Sequence, residues 1–295
     1  DLKPDWVWIK ERNNAVSHRI FDSSRGATKR MFSNNTDGES TQSNALTSFN
    51  TDGFSLGDGG SVNGGSDTYV AWQWKANGGT TSSNTDGDIT STVQANNTAG
   101  FSIVTYTANG SNTDTVGHGL SKQLSMVFTK KRNASRSWHV GHKDMPFNSA
   151  SNAHNGYISL DSSNANEPSN GGRANIPNAT TFQGESSDGD TMVAYCFAEI
   201  QGYSKFGIYE GNGNTDGAFV YTGFKPSFII MKPTNQSTEW TLQDTARDPV
   251  NPVNNRLIPD SNIAEYTNTS CLTDFLSNGF KMRTNHPSNN SSGYT

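Results

Sequence analysis

The feature that most constrains the fold of this 295-residue chain is an internal repeat. Three segments of its first part return in the same order in its last part: residues 3–10 (KPDWVWIK) as 225–232 (KPSFIIMK), residues 21–25 (FDSSR) as 243–247 (QDTAR), and residues 46–54 (LTSFNTDGF) as 272–280 (LTDFLSNGF). Matches that keep their order indicate duplicated structural units. The chain is therefore predicted to be built from copies of one module.

A more diverged copy lies between these two. Residues 124–130 (LSMVFTK) replace the first strand of the other copies, and Trp138 occupies the position of Trp240. Residues 191–198 (TMVAYCFA) correspond to residues 68–75 (TYVAWQWK), and we call these two segments the closing strands. The middle copy completes a set of three modules.

The modules differ at their ends. An opening element at residues 100–110 recurs at 202–213 and has no counterpart in the first copy, and the third copy reaches Thr295 without a closing strand. The missing strands predict that a longer chain continues on either side. We predict three modules and one linker: residues 1–76, a linker at 77–99 rich in Asn, Gly, Thr and Ser, residues 100–200, and residues 201–295.

Strand and turn chemistry dominates the residue usage. Only 31% of the residues are hydrophobic, while Asn, Ser, Thr and 29 Gly supply polar and turn positions. Apolar or alternating runs of strand length occur at six places: 6–9, 69–74, 101–106, 126–128, 192–197 and 228–231. The tetrapeptide Asn-Thr-Asp-Gly, which favours tight turns, recurs at 35–38, 50–53, 84–87 and 214–217. The expected fold is all-β, with tandem antiparallel β-sandwich modules of jelly-roll or lectin-like type.

Charge and hydropathy argue against two kinds of partner. The formal net charge is −5, and the longest basic run, residues 130–132, is interpreted as a solvated loop rather than a nucleic-acid surface. No apolar stretch approaches the roughly 20 residues of a membrane-spanning helix. We therefore expect neither nucleic-acid binding nor membrane insertion.

No constellation of residues indicates a catalytic centre. The carboxylates do not form the closely spaced pair that retaining glycosidases use, and Glu39 and Glu265 are repeat equivalents, which favours a structural role. Two further repeat-equivalent pairs predict salt bridges or loop-fixing contacts: Asp22 with Arg25, and Asp244 with Arg247. Cys196 and Cys271 are expected to be buried free thiols. The sequence thus predicts a protein that is not an enzyme.

Metal binding is considered at two places. His118, His139, His142 and His154 fall in the middle copy, but His139 and His142 are three residues apart and lie on opposite faces of a strand, which disfavours zinc. The Asn-Thr-Asp-Gly turns and residues 86–88 could supply oxygen ligands to calcium, although the loop spacing of an EF-hand is absent. No cofactor is predicted, with calcium as the alternative.

Five strings in the chain, KPDWVWIK, FDxxRG, SFxxDGF, YVAWxWKA and YxGNG, together resemble a tandem β-rich repeat of structural proteins in marine tailed bacteriophages. The repeat occurs there in tail and tail-fibre polypeptides, and the similarity covers nearly all of the chain outside the linker. It implies a lectin-type β-sandwich on the virion surface or tail, outside the host cell. It also implies contacts with other virion proteins, a trimer as is usual for phage fibres, and no defined catalytic residue.

Four functions compete. The leading one is a virion structural protein, a tail-fibre or receptor-binding segment that contacts host-surface glycans or proteins. The alternatives are purely architectural spacer or decoration domains, a bacterial extracellular adhesin or filament subunit, and, with least support, a glycan-cleaving enzyme. Aromatic rings stack on sugars, so Trp72, Trp74, Trp138 and Trp240 are the candidate ligand-binding residues. Each of them also fits core packing, because it lies in or beside a predicted strand.

Overall fold

The computed structural model describes residues 2–111, 113–145, 156–166, 178–184 and 187–295. The paired strands run antiparallel in several sheets, which confirms the predicted all-β sandwich class. One helix occurs among the described residues, α1 (Gly60–Asn63), and it is far too short to cross a membrane. The strands are β1 (Trp6–Glu11), β2 (Arg19–Asp22), β3 (Lys29–Arg30), β4 (Ser40–Thr41), β5 (Leu46–Asn50), β6 (Gly53–Leu56), β7 (Tyr69–Trp74), β8 (Ser82–Asn84), β9 (Ser91–Asn96), β10 (Phe101–Thr107), β11 (Thr115–Gly117), β12 (Met126–Lys131), β13 (His139–His142), β14 (Ile158–Ser159), β15 (Thr181–Gln183), β16 (Thr191–Phe197), β17 (Phe219–Tyr221), β18 (Phe228–Met231), β19 (Thr241–Asp244), β20 (Asn255–Arg256), β21 (Tyr266–Thr267), β22 (Thr273–Leu276) and β23 (Gly279–Met282).

In the first module, β1 is the middle strand of a three-stranded sheet with the order β2-β1-β7. Val7 and Ile9 point to one face, where the β5–β6 hairpin and α1 cover them. Trp6 and Trp8 point to the other face, toward the centre of the molecule. Successive side chains of a strand alternate between its two faces, so the continuous apolar run of β1 indicates a strand covered on both sides.

The second module is a seven-stranded sheet with the order β14-β13-β12-β16-β10-β9-β8. The closing strand β16 lies between β12 and β10 and pairs with both along its length. One face of this sheet packs on the β11–β15 pair around Val116 and Phe182. The other face presents Phe128, Tyr195 and Phe197 to the centre of the molecule.

The third module pairs β18 with β19 and packs its outer face on the β17-β23-β22 sheet around Ile229 and Phe280. Its inner face presents Phe228 and Ile230 to the centre. The opening element at residues 202–213 contains no strand, although its counterpart in the second module is β10. In the second module β10 is held by β16, and no equivalent strand accompanies β18 in the described part of the chain.

The three inner faces meet in one central core. Its members include Trp6, Trp8 and Trp72 from the first module, Phe101, Phe128, Tyr195 and Phe197 from the second, and Trp240, Leu242 and Leu257 from the third. The Trp6 ring centroid lies 4.5 Å from that of Trp74 and 4.7 Å from that of Tyr195, and Trp74 lies 5.8 Å from Phe228. These separations are those of favourable aromatic pairs. A shared core therefore joins the modules.

The segment predicted as a linker, residues 77–99, instead contributes β8 and β9 to the second module's sheet. Strand β9 pairs with β10 along its whole length. Gln94 on β9 is buried, donates to the Ser23 hydroxyl at 3.0 Å and accepts the backbone N–H of Gly79 at 2.7 Å. The low apolar content concealed this strand, because Ser, Thr, Gln and Asn supply four of its six side chains, and hydrogen bonds of Gln94 accompany the packing of Val93 in the core of the second module.

The basic run at residues 130–132 is not a solvated loop, because Lys130 and Lys131 belong to β12. Lys130 is fully buried, and its ammonium donates to the backbone carbonyls of Thr36, at 2.7 Å, and Arg136. A buried cation is tolerated when hydrogen bonds satisfy it and its aliphatic stem packs on apolar surface. Cys196 and Cys271 are buried and free, as predicted.

The Asn-Thr-Asp-Gly segments are turns, as predicted. In three of them the Asn side chain accepts the backbone N–H of the Asp two residues later, at 2.9–3.0 Å: Asn35 with Asp37, Asn84 with Asp86, and Asn214 with Asp216. The fourth, residues 50–53, connects β5 to β6 as a tight hairpin.

Candidate functional site

The interface between the first and second modules holds a buried cluster of charged residues. Arg25 pairs with Asp22 and contacts Glu39, with its Nη1 3.1 Å from Oε2. Glu39 also accepts from Arg132 of the second module at 3.0 Å. Tyr195, on the closing strand β16, donates its hydroxyl to Asp22 at 2.6 Å. Both side chains of the Asp22–Arg25 pair are fully buried, so each charge depends on the other for compensation.

The interface between the third and first modules repeats this cluster. Arg247 pairs with Asp244 at 2.6 Å and with Glu265 at 2.5 Å, and Glu265 accepts from Arg12 of the first module at 2.7 Å. Trp72, on the closing strand β7, donates its indole N–H to Asp244 at 3.1 Å. The predicted Asp–Arg contacts are therefore confirmed, and both glutamates form ion pairs with an arginine of a neighbouring module.

At the interface between the second and third modules, the same repeat positions carry different residues. His142 and Met145 replace the Asp–Arg pair, and Thr234 replaces the interface arginine. Nδ1 of His142 accepts the backbone N–H of Asp144 at 3.1 Å. Burial lowers the pKa of His142, which favours a neutral ring with its proton on Nε2. No closing-strand residue faces His142 in the described part of the molecule.

Two of the tryptophans predicted to bind ligand are anchors between modules. Trp138 donates its indole N–H to the carbonyl of Phe32 in the first module at 2.7 Å, and Trp240 donates to the carbonyl of Ser159 in the second module at 3.0 Å. Trp138 is 0% exposed and Trp240 is 3% exposed. Side chains buried to this degree offer little surface for a sugar, and hydrogen bonds to a neighbouring module hold both indoles.

The other two predicted tryptophans lie on the closing strand β7. Trp72 is 8% exposed, and the guanidinium carbon of Arg247 lies 5.7 Å from its ring centroid. Trp74 is only partly buried, against Trp6 and Phe228. Of the four predicted binding residues, Trp74 therefore keeps the most accessible ring.

A cavity of about 840 Å³ opens beside the central core. Its walls are β18, the opening element at residues 202–209, and the inner faces of the first two modules. The wall is mainly apolar and includes Phe128, Val140, His142, Met145, Phe197 and Phe228. The cavity brings Trp72, Trp74 and Trp240 to one place and leaves Trp138 apart. Apolar concave sites of this size are typical of ligand or peptide binding.

No Asp or Glu side chain lines the cavity among the described residues. The described ranges also contain no group of three or more His, Cys, Asp or Glu side chains arranged to hold a metal ion. His139 and His142 line different cavities, as opposite strand faces require. Asp88, considered for calcium, accepts the backbone N–H of Thr115 at 3.0 Å and its hydroxyl at 2.9 Å. His154 lies outside the described residues.

The sequence interpretation missed the residues at the module interfaces. Arg12 and Arg132 follow the first strand of their modules, and both bond a glutamate of a neighbouring module. His142 and Met145 occupy repeat positions that elsewhere hold Asp and Arg. A position-by-position alignment of the three copies contains both signals.

One family model, described as Domain of unknown function (DUF7483), matches residues 1–295. No curated protein and no solved structure matches the chain.

Proposed function

The chain belongs to the DUF7483 family over residues 1–295, and from that premise we propose that it is a non-catalytic structural module of a virion tail or tail fibre. The observation that carries the proposal is the shared central core, to which all three modules contribute aromatic rings. A core shared by all three modules suits a protein that transmits position or load. The resemblance of the repeat to phage tail proteins supports the virion as its location.

The use of the chain's polar groups supports an architectural role. Four carboxylates at equivalent positions of the first and third modules, Asp22, Asp244, Glu39 and Glu265, are engaged in ion pairs between or within modules. A carboxylate held by an arginine is a poor general acid or nucleophile, because the arginine stabilises its charged form. This arrangement favours assembly over glycan cleavage.

Receptor binding is the second candidate, and exposed aromatic side chains favour it. Tyr203 and Tyr221 are 60% and 65% exposed, and both line the cavity, as Trp74 does. Rings in this position could stack on a sugar or on an extended peptide.

Immunolabelling tests the proposed location. Antibodies raised against the purified chain should decorate the tails of the virions whose genome encodes it, as seen by negative-stain electron microscopy. Decoration of bacterial surface filaments without decoration of virion tails would refute the virion proposal and support the adhesin alternative.

A glycan array with the purified chain separates the architectural role from receptor binding. We expect no saturable binding. Saturable binding that is lost in Trp74→Ala and in Tyr221→Ala, but kept in the Val250→Ala control at an exposed apolar position away from the cavity wall, would refute a purely architectural role.

A further inference from the structure

Strand β18 has one free edge. In the first module β1 is paired on both sides, by β2 and β7, and in the second module β12 is paired on both sides, by β13 and β16. Strand β18 stands at the same repeat position and pairs with β19 alone within the described ranges. Unpaired edge groups of this kind form a template for another strand.

The cavity of about 840 Å³ lies along this free edge. Its second wall is the opening element at residues 202–209, whose counterpart β10 is separated from β12 by one strand, β16. The cavity therefore occupies the place in the third module that β16 fills in the second. We call the space between β18 and residues 202–209 the strand groove.

Side-chain exposure along the groove supports this interpretation. Phe101 on β10 is 1% exposed, whereas its repeat equivalent Tyr203 is 60% exposed. Ile208 in the same wall is 57% exposed. Apolar side chains left uncovered beside a free strand edge mark a surface that another element covers.

One hydrogen bond sets the register of the groove. The backbone N–H that follows the first strand donates to a threonine carbonyl in every module: Arg12 to Thr68 at 2.7 Å, Arg132 to Thr191 at 2.8 Å, and Thr234 to Thr295 at 2.5 Å. In the first two modules this threonine stands at the start of the closing strand. A strand in the groove would accordingly continue the pairing with β18 from this position.

We infer that the strand groove is a docking site for one extended segment of this repeat's own closing-strand pattern, bound antiparallel to β18. In that pattern an aromatic residue recurs at alternate positions, as in Trp72 and Trp74 or Tyr195 and Phe197. Backbone hydrogen bonds to the free edge supply affinity, and the alternate aromatic side chains fill the apolar wall, as in other cases of strand addition.

His142 predicts which aromatic residue the strand groove prefers at the position that faces it. The fifth residue of each closing-strand segment (68–75 and 191–198) meets a side chain of a neighbouring module: Tyr195 donates to Asp22, and Trp72 donates to Asp244. In the strand groove this facing position belongs to His142, whose Nδ1 is already bonded to the N–H of Asp144. The remaining Nε2–H is a donor, so its partner must accept. A Tyr hydroxyl can accept a hydrogen bond and a Trp indole cannot, so the groove selects Tyr at this position.

Synthetic peptides added to the intact chain test the inference. The first peptide has the sequence of residues 192–198 with Cys196→Ser, because Thr295 already occupies the position of Thr191. The second has the sequence of residues 69–75, with Trp at the central position. A control carries Tyr195→Ser and Phe197→Ser in the first peptide. By fluorescence anisotropy we expect one-to-one binding of the first peptide, at least tenfold weaker binding of the second, and no binding of the control.

The preference is checked with His142→Ala, which should reduce the difference between the Tyr and Trp peptides to less than threefold. Binding of the control peptide as tightly as the first, or no binding of any peptide, would overturn the inference. Concentration-dependent dimerisation that the first peptide does not displace would also overturn it, because the groove would then be occupied by a second copy.

A covalent version of the test places the segment and the strand groove in one molecule. The sequence of residues 192–198 is fused directly after Thr295, and a second fusion carries the same sequence moved by one residue with an inserted Ser. The first fusion should raise the melting temperature and protect β18 amides from hydrogen exchange. The shifted fusion should do neither, because a one-residue slip moves every side chain to the other face. Equal effects of both fusions would refute strand docking.

Discussion

Each module carries a lysine at or next to the end of its first strand, and all three lysines bind backbone carbonyls. Lys10 and Lys130 are buried, and Lys232 is half-buried. Lys10 donates to Glu11 and Asn14, Lys130 donates to Thr36 and Arg136, and Lys232 donates to Pro233 and Gln236. Burial lowers the pKa of each of these side chains to about 8. At neutral pH the folded chain therefore retains charged ammonium groups at a desolvation cost, which the carbonyls offset in part.

The lysines give the stability a dependence on pH. The pKa of Lys10 is lower in the folded chain than in the unfolded chain, so the unfolded chain binds more protons between about pH 8 and about pH 10. The Lys10 contribution to the free energy of unfolding consequently rises with pH across that window and is least favourable below it. The free energy of unfolding of the wild type minus that of Lys10→Met, measured in urea, should become more positive by about 1–3 kcal/mol from pH 7.5 to pH 10. A constant difference would contradict this assignment.

The Asp22–Arg25 pair predicts a large and non-additive effect of substitution. Arg25→Met leaves Asp22 buried without its cation and should lower the free energy of unfolding by about 3–5 kcal/mol. The combination Asp22→His with Arg25→Met reproduces the residues that the second module carries at these positions. Because it removes the uncompensated charge, the double variant should be at least 1 kcal/mol more stable than Arg25→Met alone. Urea unfolding measures both, and additive losses would contradict the pairing.

At this scale, repetition made some contacts predictable and left others open. The Asp–Arg pairs and the structural glutamates followed from their recurrence at equivalent positions. The roles of Trp138 and Trp240 did not, because an aromatic side chain suits a core and a sugar site equally well. The indole N–H of each tryptophan donates to a backbone carbonyl of another module, at Phe32 or Ser159, and this contact indicates core packing rather than sugar binding. No local sequence pattern shows which modules are in contact.

At the scale of elements, the strands with apolar or alternating runs were predictable, and strand β9 was not. The six predicted runs correspond to β1, β7, β10, β12, β16 and β18. Strand β9 was interpreted as part of a linker because its side chains are polar, and its place depends on pairing with β10. Residues 202–209 of the opening element form no strand for the same reason: a strand depends on pairing with a neighbour more than on the propensity of its own residues.

Two glycines at equivalent repeat positions show how tightly a closing strand packs the start of the opening element. Gly100 and Gly202 begin the opening elements of the second and third modules with φ of +65° and +77°. A side chain at Gly100 would collide with the Ala198 carbonyl behind β16, whereas a side chain at Gly202 would meet nothing within 4 Å. Gly202→Ala should cost about 1–2 kcal/mol from backbone strain, and Gly100→Ala should cost about 2 kcal/mol more. Equal losses in chemical denaturation would show that the third module is as closed as the second.

At the scale of the whole molecule, the repeat predicted three modules but not their arrangement around one core. Each inner face is apolar, which a sequence pattern reveals, but the partner of that face is another inner face far along the chain. The clusters at two module interfaces and the aromatic contacts of Trp6 with Tyr195 and of Trp74 with Phe228 make the modules depend on one another.

This dependence predicts one cooperative unfolding transition. Trp240 belongs to the third module, contacts the second through Ser159 and lies in the shared core, so Trp240→Ala should lower the stability of the whole chain by about 3–5 kcal/mol. Calorimetry should show a single peak with equal calorimetric and van't Hoff enthalpies, shifted as a unit in the variant. Trp138→Ala, the equivalent change in the second module, should shift the same single peak. A peak that splits, with one part left at the wild-type temperature, would mean that the modules unfold independently and that the shared core does not hold them together.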